Sequence, residues 1–250
     1  MTQLQQKAGL QSVGDIFAAH RRAWEKKRAL RLYYQREIFD RIIARLRPGA
    51  TLEIGTGPGF FADYHPGMTG LDVAPFYPAV VPGDVHDMPF SAAAFANVVA
   101  VDVLHHLASP GRALSEIARV LSPGGRLVLV EPWTGPVGRL FYRHLHHEDC
   151  SPVADPWTQA LAPGKSAMEG NAMIPWTLLA ERRDELAVHA PLRLAYVEPF
   201  GVAAYAATGG FQKIGLPWPA IDILRRAEAL LPDAVHRFAG LRALFVLERI

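Results

Sequence analysis

The chain has 250 residues, half of them hydrophobic and a fifth charged, with a formal net charge of +2. That balance excludes a disordered chain and fits one large domain, or one domain carrying a sub-domain. A membrane span needs about 20 mostly apolar residues, and the best candidate, Ala92 to Leu104, is shorter and holds Asn97 and Asp102; the single cysteine, Cys150, excludes an internal disulfide.

Met1 to Gly9 is polar, so no signal segment is expected and the reading is a cytoplasmic protein without membrane contact. Residues 1–47 hold 11 Lys/Arg against 4 acids, whereas the remaining 203 hold 15 against 20. A basic leading segment can mark a nucleic-acid surface. Here the charges alternate with aromatic and aliphatic residues at helical spacing, which predicts a solvated helix face and no nucleic-acid partner. Leu30, Tyr34, Ile38, Ile42 and Leu46 recur every four residues, so 15–46 reads as one long helix or two shorter ones, stopped by Pro48-Gly49. This helical cap, residues 1–47, is expected to act as a lid.

Strands are predicted at Thr51–Ile54, Met68–Val73, Ala79–Val81, Phe95–Val101 and Arg126–Glu131. The fourth is apolar on both faces, as a buried parallel strand must be. Ser109–Leu121 reads as an amphipathic helix closed by Ser122-Pro123-Gly124-Gly125. Past Glu131 the pattern changes. Residues 133–176 are rich in Pro, Gly, Trp and His and read as a cap insertion without strands. Residues 177–250 return to helix (177–189), strand (Arg193–Val197), a Gly/aromatic loop (Phe200–Phe211), helix (Ala220–Leu231) and strand (Ala243–Glu248). Strands alternating with helices argue for an α/β, mostly parallel, doubly wound sheet. Ligands then gather at the C-terminal strand ends, where Gly55, Asp72, Asp84, Asp102 and Glu131 fall.

The run Glu53-Ile-Gly55-Thr-Gly57-Pro-Gly59 follows a predicted strand and opens a helix. Glycines there let a ligand lie against the backbone. A dinucleotide fingerprint fits only in the Gly57 register, with Ala62 third, and the acid at Asp72 comes sooner than the roughly 20-residue spacing that fingerprint uses. A nicotinamide-dependent oxidoreductase is therefore the alternative reading.

Taken in order, Glu53-x-Gly55-x-Gly57-x-Gly59, Gly70-Leu-Asp72-Val73, Gly83-Asp84 through Pro89-Phe90, Phe95-Ala-Asn97-Val-Val, Val103-Leu-His105-His106-Leu, Arg119 through Gly125 and Leu127 through Glu131-Pro132 resemble the motifs of class I S-adenosylmethionine-dependent methyltransferases. The similarity covers 45–132, and it is closest to the small-molecule group that includes the ubiquinone and menaquinone biosynthesis enzymes. It implies a seven-stranded Rossmann-like sheet and S-adenosylmethionine as cofactor. By matching positions it places Gly55, Thr56, Gly57 and Gly59 on the cofactor's amino-acid and ribose portion, and Asp72 on the ribose hydroxyls with Val73 beside it. Asp84 and the Val85 amide fall on adenine, Asp102 near the tail ammonium, and Glu53 behind the glycine loop. It also implies methyl transfer to a small, partly apolar acceptor, by a monomer or homodimer. Asn97 departs from the group, which has Asp there, at a position expected to be structural. A non-catalytic cofactor-binding module is compatible with the same motifs; the Asn/Asp-Pro-Pro-Tyr type motif of amino-methylating DNA enzymes is absent after strand four.

A general base is required only if the acceptor must lose a proton; the candidates are His105 and His106 after strand four, and His144, His146 and His147 in the insertion. The segment Arg143 to Cys150 invites a metal reading, in which only pairs such as His144/His147 or His144/Glu148 share a helix face; it also suits an exposed helix end, and no metal is expected. Trp133, Trp157, Trp176, Tyr205, Phe211 and Trp218 read either as an aromatic acceptor pocket or as the core of the cap.

Overall fold

Seven strands form one sheet: β1 (Thr51–Ile54), β2 (Thr69–Asp72), β3 (Val80–Pro82), β4 (Phe95–Val101), β5 (Leu121–Pro132), β6 (Leu192–Phe200) and β7 (Arg242–Arg249). The structure, a computed structural model, describes residues 3–146, 148–161 and 169–250, with the backbone alone over 3–12. The order across the sheet is β3-β2-β1-β4-β5-β7-β6. β1 to β5 run parallel, and β7 lies antiparallel between β5 and β6. The chain leaves β1 toward β2 on one side and returns to β4 on the other. The crevice at the C-terminal ends of β1 and β4 is thus a topological switch point, where open α/β sheets bind ligands.

Alternation along the central strands explains their unbroken apolar runs. Val98, Leu127 and Leu129 face one core with the helix Pro110–Val120, through Leu114, Ile117 and Ala118. Val99, Val128, Val130, Leu244 and Val246 face the other, with Leu30, Tyr33, Ile38 and Ile42 of the leading helices. Successive side chains of a strand point to opposite faces, so a strand covered on both sides needs apolar residues at every position.

The leading segment is two helical pieces. The first, Gln3–Lys26, ends where Lys27 leaves helical geometry and donates its ammonium to the Lys213 carbonyl 2.6 Å away. The second runs from Arg28–Tyr33 through a π-helical turn, Tyr34–Phe39, into Asp40–Ile43. The extra residue of the π turn keeps Leu30, Tyr34, Ile38 and Ile42 on one buried face. β5 begins at Leu121, ahead of the expected Arg126: Leu121 pairs with Phe95 and Arg126 with Asn97, so Ser122–Gly125 bulges opposite one residue. Asn97 is fully buried and ties β4 to the chain before β1. Its Oδ1 accepts from the Arg47 amide at 2.8 Å, and its Nδ2 donates to the Arg47 carbonyl at 2.8 Å and to Thr51 Oγ1 at 3.1 Å. A carboxylate there would lack both donor bonds, which accounts for the asparagine.

The second half departs further from expectation. Pro136–His144 is a helix within the stretch read as a strandless cap insertion, and Asp233–Ala239 a helix beyond the expected one ending at Leu231, each starting beside a proline whose missing N–H costs nothing at a first turn. The expected helix over 177–189 is broken into a π turn (Thr177–Glu181), a 3₁₀ turn (Arg183–Glu185) and a short α-helix (Leu186–His189). Arg182 steps out of helical geometry at φ −114°, and Glu185 accepts from the Trp157 indole N–H at 2.7 Å. Among the described residues, no helix is long and apolar enough to cross a membrane.

Candidate active site

Gly55 and Gly59 both lie in left-handed backbone conformations, at φ +63° and +79°. A Cβ at Gly55 would stand 2.5 Å from Val103 Cγ2, and one at Gly59 would stand 2.0 Å from the Tyr77 ring. Any other residue would meet both strain and overlap. The Gly55 amide donates to the Leu71 carbonyl at 2.8 Å, stitching the loop to β2. Asp72 closes that strand and holds the loop from beneath: its Oδ2 accepts from the Gly57 amide at 2.7 Å and its Oδ1 from the Ala74 amide at 2.8 Å. Burial raises the Asp72 pKa, and these two amides offset part of that rise. Each oxygen keeps a second lone pair.

Glu53, on β1 below the same loop, is also buried, and its Oε2 has no hydrogen-bond partner. Burial, reinforced by the nearby Asp72 and Asp63 charges, pushes its pKa up to about 8. A buried carboxyl oxygen without a partner is costly. It is satisfied by a proton, or by a cation brought to the loop. Thr56 is buried beside it, its hydroxyl 3.4 Å from the Glu53 carbonyl.

At the end of β4 the charges are paired. Asp102 sits at φ +59°, and its Oδ1 lies 2.6 Å from Arg242 Nη2. Arg242 is fully enclosed on β7, with its guanidinium 5.2 Å from the Tyr205 ring centre. Burial raises the Asp102 pKa, with Arg242 and then His105 pulling it back. Of the two acids expected near the glycine loop and the tail ammonium, Glu53 is the open one and Asp102 the occupied one.

His105 follows in a 3₁₀ turn, Leu104–His106. Its Nδ1 lies 2.6 Å from Glu131 Oε2, while Glu131 Oε1 accepts from the Val103 and Leu104 amides at 2.9 and 2.7 Å. His105 Nε2 lies 3.4 Å from Glu148 Oε2, and His106 Nε2 lies 3.6 Å from Glu148 Oε1. Burial would lower the His105 pKa, but the Glu131 and Glu148 carboxylates overrule it and raise it to about 10. A ring enclosed in this way holds a proton near neutrality and has no free lone pair with which to take one. The same contacts hold the carboxyls of Glu131 and Glu148 below their ordinary range despite burial.

The other expected residues sit as follows. Asp84 makes a local turn, its Oδ1 accepting from the His86 amide at 2.9 Å and touching His86 Nδ1 at 2.6 Å. Val85 is buried and Val73 is half exposed. The helix carrying His144 ends there, so Glu148 meets His105, His106 and His146 and not His144; His147 lies outside the described residues. The six aromatic residues do not converge. Trp133, Trp157 and Trp176 belong to the core beneath the helix Pro110–Val120, whereas Tyr205, Phe211 and Trp218 pack against the leading helices.

The leading segment was expected as a lid, but the residues that meet the loop were not legible. Phe17 of the first helix stands 3.7 Å from where a Gly57 Cβ would be, edge-on to Phe76, and Tyr77 lies on Gly59. Trp24 stacks on Phe60 at 4.2 Å, Tyr77 donates its hydroxyl to Asp63 at 2.6 Å, and Arg21 pairs with the same carboxylate. Sequence reasoning missed Arg242, the one charged residue in the buried part of β7, for which the only signal was an arginine opening an otherwise apolar strand.

Comparison with known proteins bears on the domain and the fold. Residues 52–129 match the family described as a methyltransferase domain. A 37.1 kDa protein of a Streptomyces fradiae transposon is 39% identical over an alignment of 72 residues, with coverage of 25% of this chain and 21% of that protein. The chain thus spans about a fifth of that relative's length. Among solved structures, an S-adenosylmethionine-dependent methyltransferase of Thermotoga maritima superposes with a TM-score of 0.56 at 15% identity, over 96% of this chain and 99% of that one. Another from Archaeoglobus fulgidus gives 0.55 at 16% identity, over 90% and 97%.

Proposed function

We propose that this chain, a class I S-adenosylmethionine-dependent methyltransferase by its matched domain and its sheet order, methylates a small, partly apolar acceptor at the switch point between β1 and β4. The observation that carries the reading is the unpartnered, buried Oε2 of Glu53 under a loop of left-handed glycines, with Asp72 alongside. S-adenosylmethionine brings an ammonium, ribose hydroxyls and a sulfonium, with no phosphate, and that is the chemistry two neighbouring carboxylates accept. A dinucleotide's pyrophosphate would meet the Asp72 carboxylate as a like charge and would bring Glu53 no cation.

In this reading Glu53 takes the tail ammonium, and Asp72 accepts the ribose hydroxyls through its remaining lone pairs. Asp84 and the Val85 amide face adenine, and Gly55, Thr56, Gly57 and Gly59 supply a surface free of obstructing side chains. Val73 flanks the ribose, and Asp102, neutralised by Arg242, borders the acceptor side. Phe17 and Tyr77 close over the loop and exclude water. When bound, the cofactor would supply an electrophilic methyl group for in-line attack by the acceptor's lone pair, with the thioether of S-adenosylhomocysteine leaving with the electron pair of the carbon–sulfur bond. Holding the two partners aligned is the protein's main contribution. His105, with both ring nitrogens facing carboxylates, positions the β4 end and abstracts no proton; His106 lines the same turn.

Calorimetric titration of the folded protein with S-adenosylhomocysteine and, separately, with NADH tests this. The expected result is saturable binding of the first and none of the second, with Glu53→Gln weakening the first. Binding of NADH alone would refute the reading.

A further inference from the structure

The end of β4 meets the segment after the helix Pro136–His144 in a cluster that methyl transfer does not use. His105, His106 and Glu148 each bring a ligand-type atom to one point, all within 4.8 Å of one another. The separations, 3.4 Å from His105 Nε2 to Glu148 Oε2 and 3.6 Å from His106 Nε2 to Glu148 Oε1, exceed a charge-assisted hydrogen bond, about 2.7–2.9 Å. They match two donors on a tetrahedral ion, which at metal–ligand distances of about 2.0–2.1 Å stand roughly 3.3 Å apart.

The surroundings are those of a ligand set held in advance. His105 presents Nε2 because Nδ1 is fixed by Glu131, itself anchored by two backbone amides, as a metal-bound histidine is commonly oriented by a carboxylate behind it. Glu148 is held by its neighbours: Asp149 forms a β-bridge with Asn171, and the Ala172 amide donates to the Asp149 carbonyl at 2.8 Å. Gly170 lies flat on both imidazoles, since a Cβ there would stand 2.6 Å from His105 Cδ2 and 2.9 Å from His106 Cε1. Charge agrees with geometry. Once an ion displaces the His105 proton, the Asp102, Glu131 and Glu148 carboxylates face one guanidinium, Arg242, leaving two negative charges in a largely buried site. One divalent cation cancels them.

We propose that His105 Nε2, His106 Nε2 and the Glu148 carboxylate bind a divalent first-row transition-metal ion of the zinc type, with Glu131 orienting His105. Two nitrogens and one oxygen with an open position are a donor set that zinc accepts. The ion takes the place between His105 and Glu148 that a proton holds in its absence. The site is separate from the glycine loop and stands whether or not the methyl-transfer reading does.

The test uses the untagged full chain, stripped with EDTA and titrated with ZnCl2 by calorimetry and with CoCl2 by visible absorption. One zinc per chain, and the intense visible bands of four-coordinate cobalt, are expected. His106→Gln and Glu148→Gln should each weaken zinc at least tenfold, with circular dichroism unchanged, while His144→Ala, an exposed neighbour outside the set, should leave it unaltered. No zinc uptake, equal affinity in His106→Gln and Glu148→Gln, or loss in His144→Ala alone would overturn the proposal. A variant that fails to fold is replaced by His106→Ala, read against the same cobalt spectrum.

Discussion

Glu53 and Glu131 stand on the same sheet, on β1 and β5, both out of water, and their surroundings treat them oppositely. Glu131 has two backbone amides and an imidazole, and it stays ionised. Glu53 has an oxygen with no partner and a neighbouring carboxylate, and its pKa rises to about 8. Burial acts on both in the same direction. What differs is whether the fold itself supplies the partner or leaves it to come from outside. A buried acid that the chain satisfies is architecture; one left unsatisfied is a site.

The comparison is broken most directly at its satisfied end. Glu131→Ala removes one member of a buried pair and strands His105 and two amides, a loss of roughly 3–5 kcal/mol. Urea unfolding followed by circular dichroism measures it, and a loss under about 1 kcal/mol would mean that Glu131 is no keystone. Glu53→Gln sharpens the other end. Because the folded-state pKa of Glu53 lies above its ordinary 4.5, the folded form keeps a proton that the unfolded chain releases. Stability therefore falls as pH rises from about 4.5 to about 8, by at most about 1.4 kcal/mol per unit. Glu53→Gln should flatten that fall in thermal scans across the same window, and an unchanged slope would remove Glu53 from the account.

Asp72 lies between the extremes, raised by burial and restrained by two amides. Asp72→Ala is expected to weaken S-adenosylhomocysteine at least tenfold by calorimetry, the worth of a charged hydrogen bond at ~1.5–3 kcal/mol; unchanged affinity in a folded variant would exclude the ribose role. The smallest effect belongs to a charge pair in water. Arg21 and Asp63 are partly exposed, so Arg21→Ala should cost less than about 1 kcal/mol in thermal unfolding. A larger loss would show that the first helix docks through Arg21 and not through Trp24 on Phe60.

The legible parts of the molecule were those whose cause lies within a few residues. β1 and β4 fall where they were read, and β2 and β3 within a residue or so; β4 was the clearest, since a strand covered on both faces is apolar almost throughout. The glycine loop was legible for a similar reason: a left-handed turn at Gly55 and Gly59 leaves little choice of residue. The helix Pro136–His144 had a local signal, Gly135 before Pro136, that the Pro-, Gly-, Trp- and His-rich composition of the insertion obscured. Glu148 was matched to His144 because both sit in one short segment, whereas the fold brings it to His105 and His106. The six aromatic residues looked like one group and fell on two faces of the sheet.

From residue order alone came the alternation of strands and helices, the glycine turn and the acids at the strand ends, since backbone conformation and solvent preference are properties of neighbours in the chain. Only folding decided that Arg242 would neutralise Asp102, that Phe17 and Tyr77 would cover the loop, and that Glu53 would be left with a bare oxygen. Those are meetings between groups from distant segments, and the charge state of a buried acid depends on what stands next to it in space.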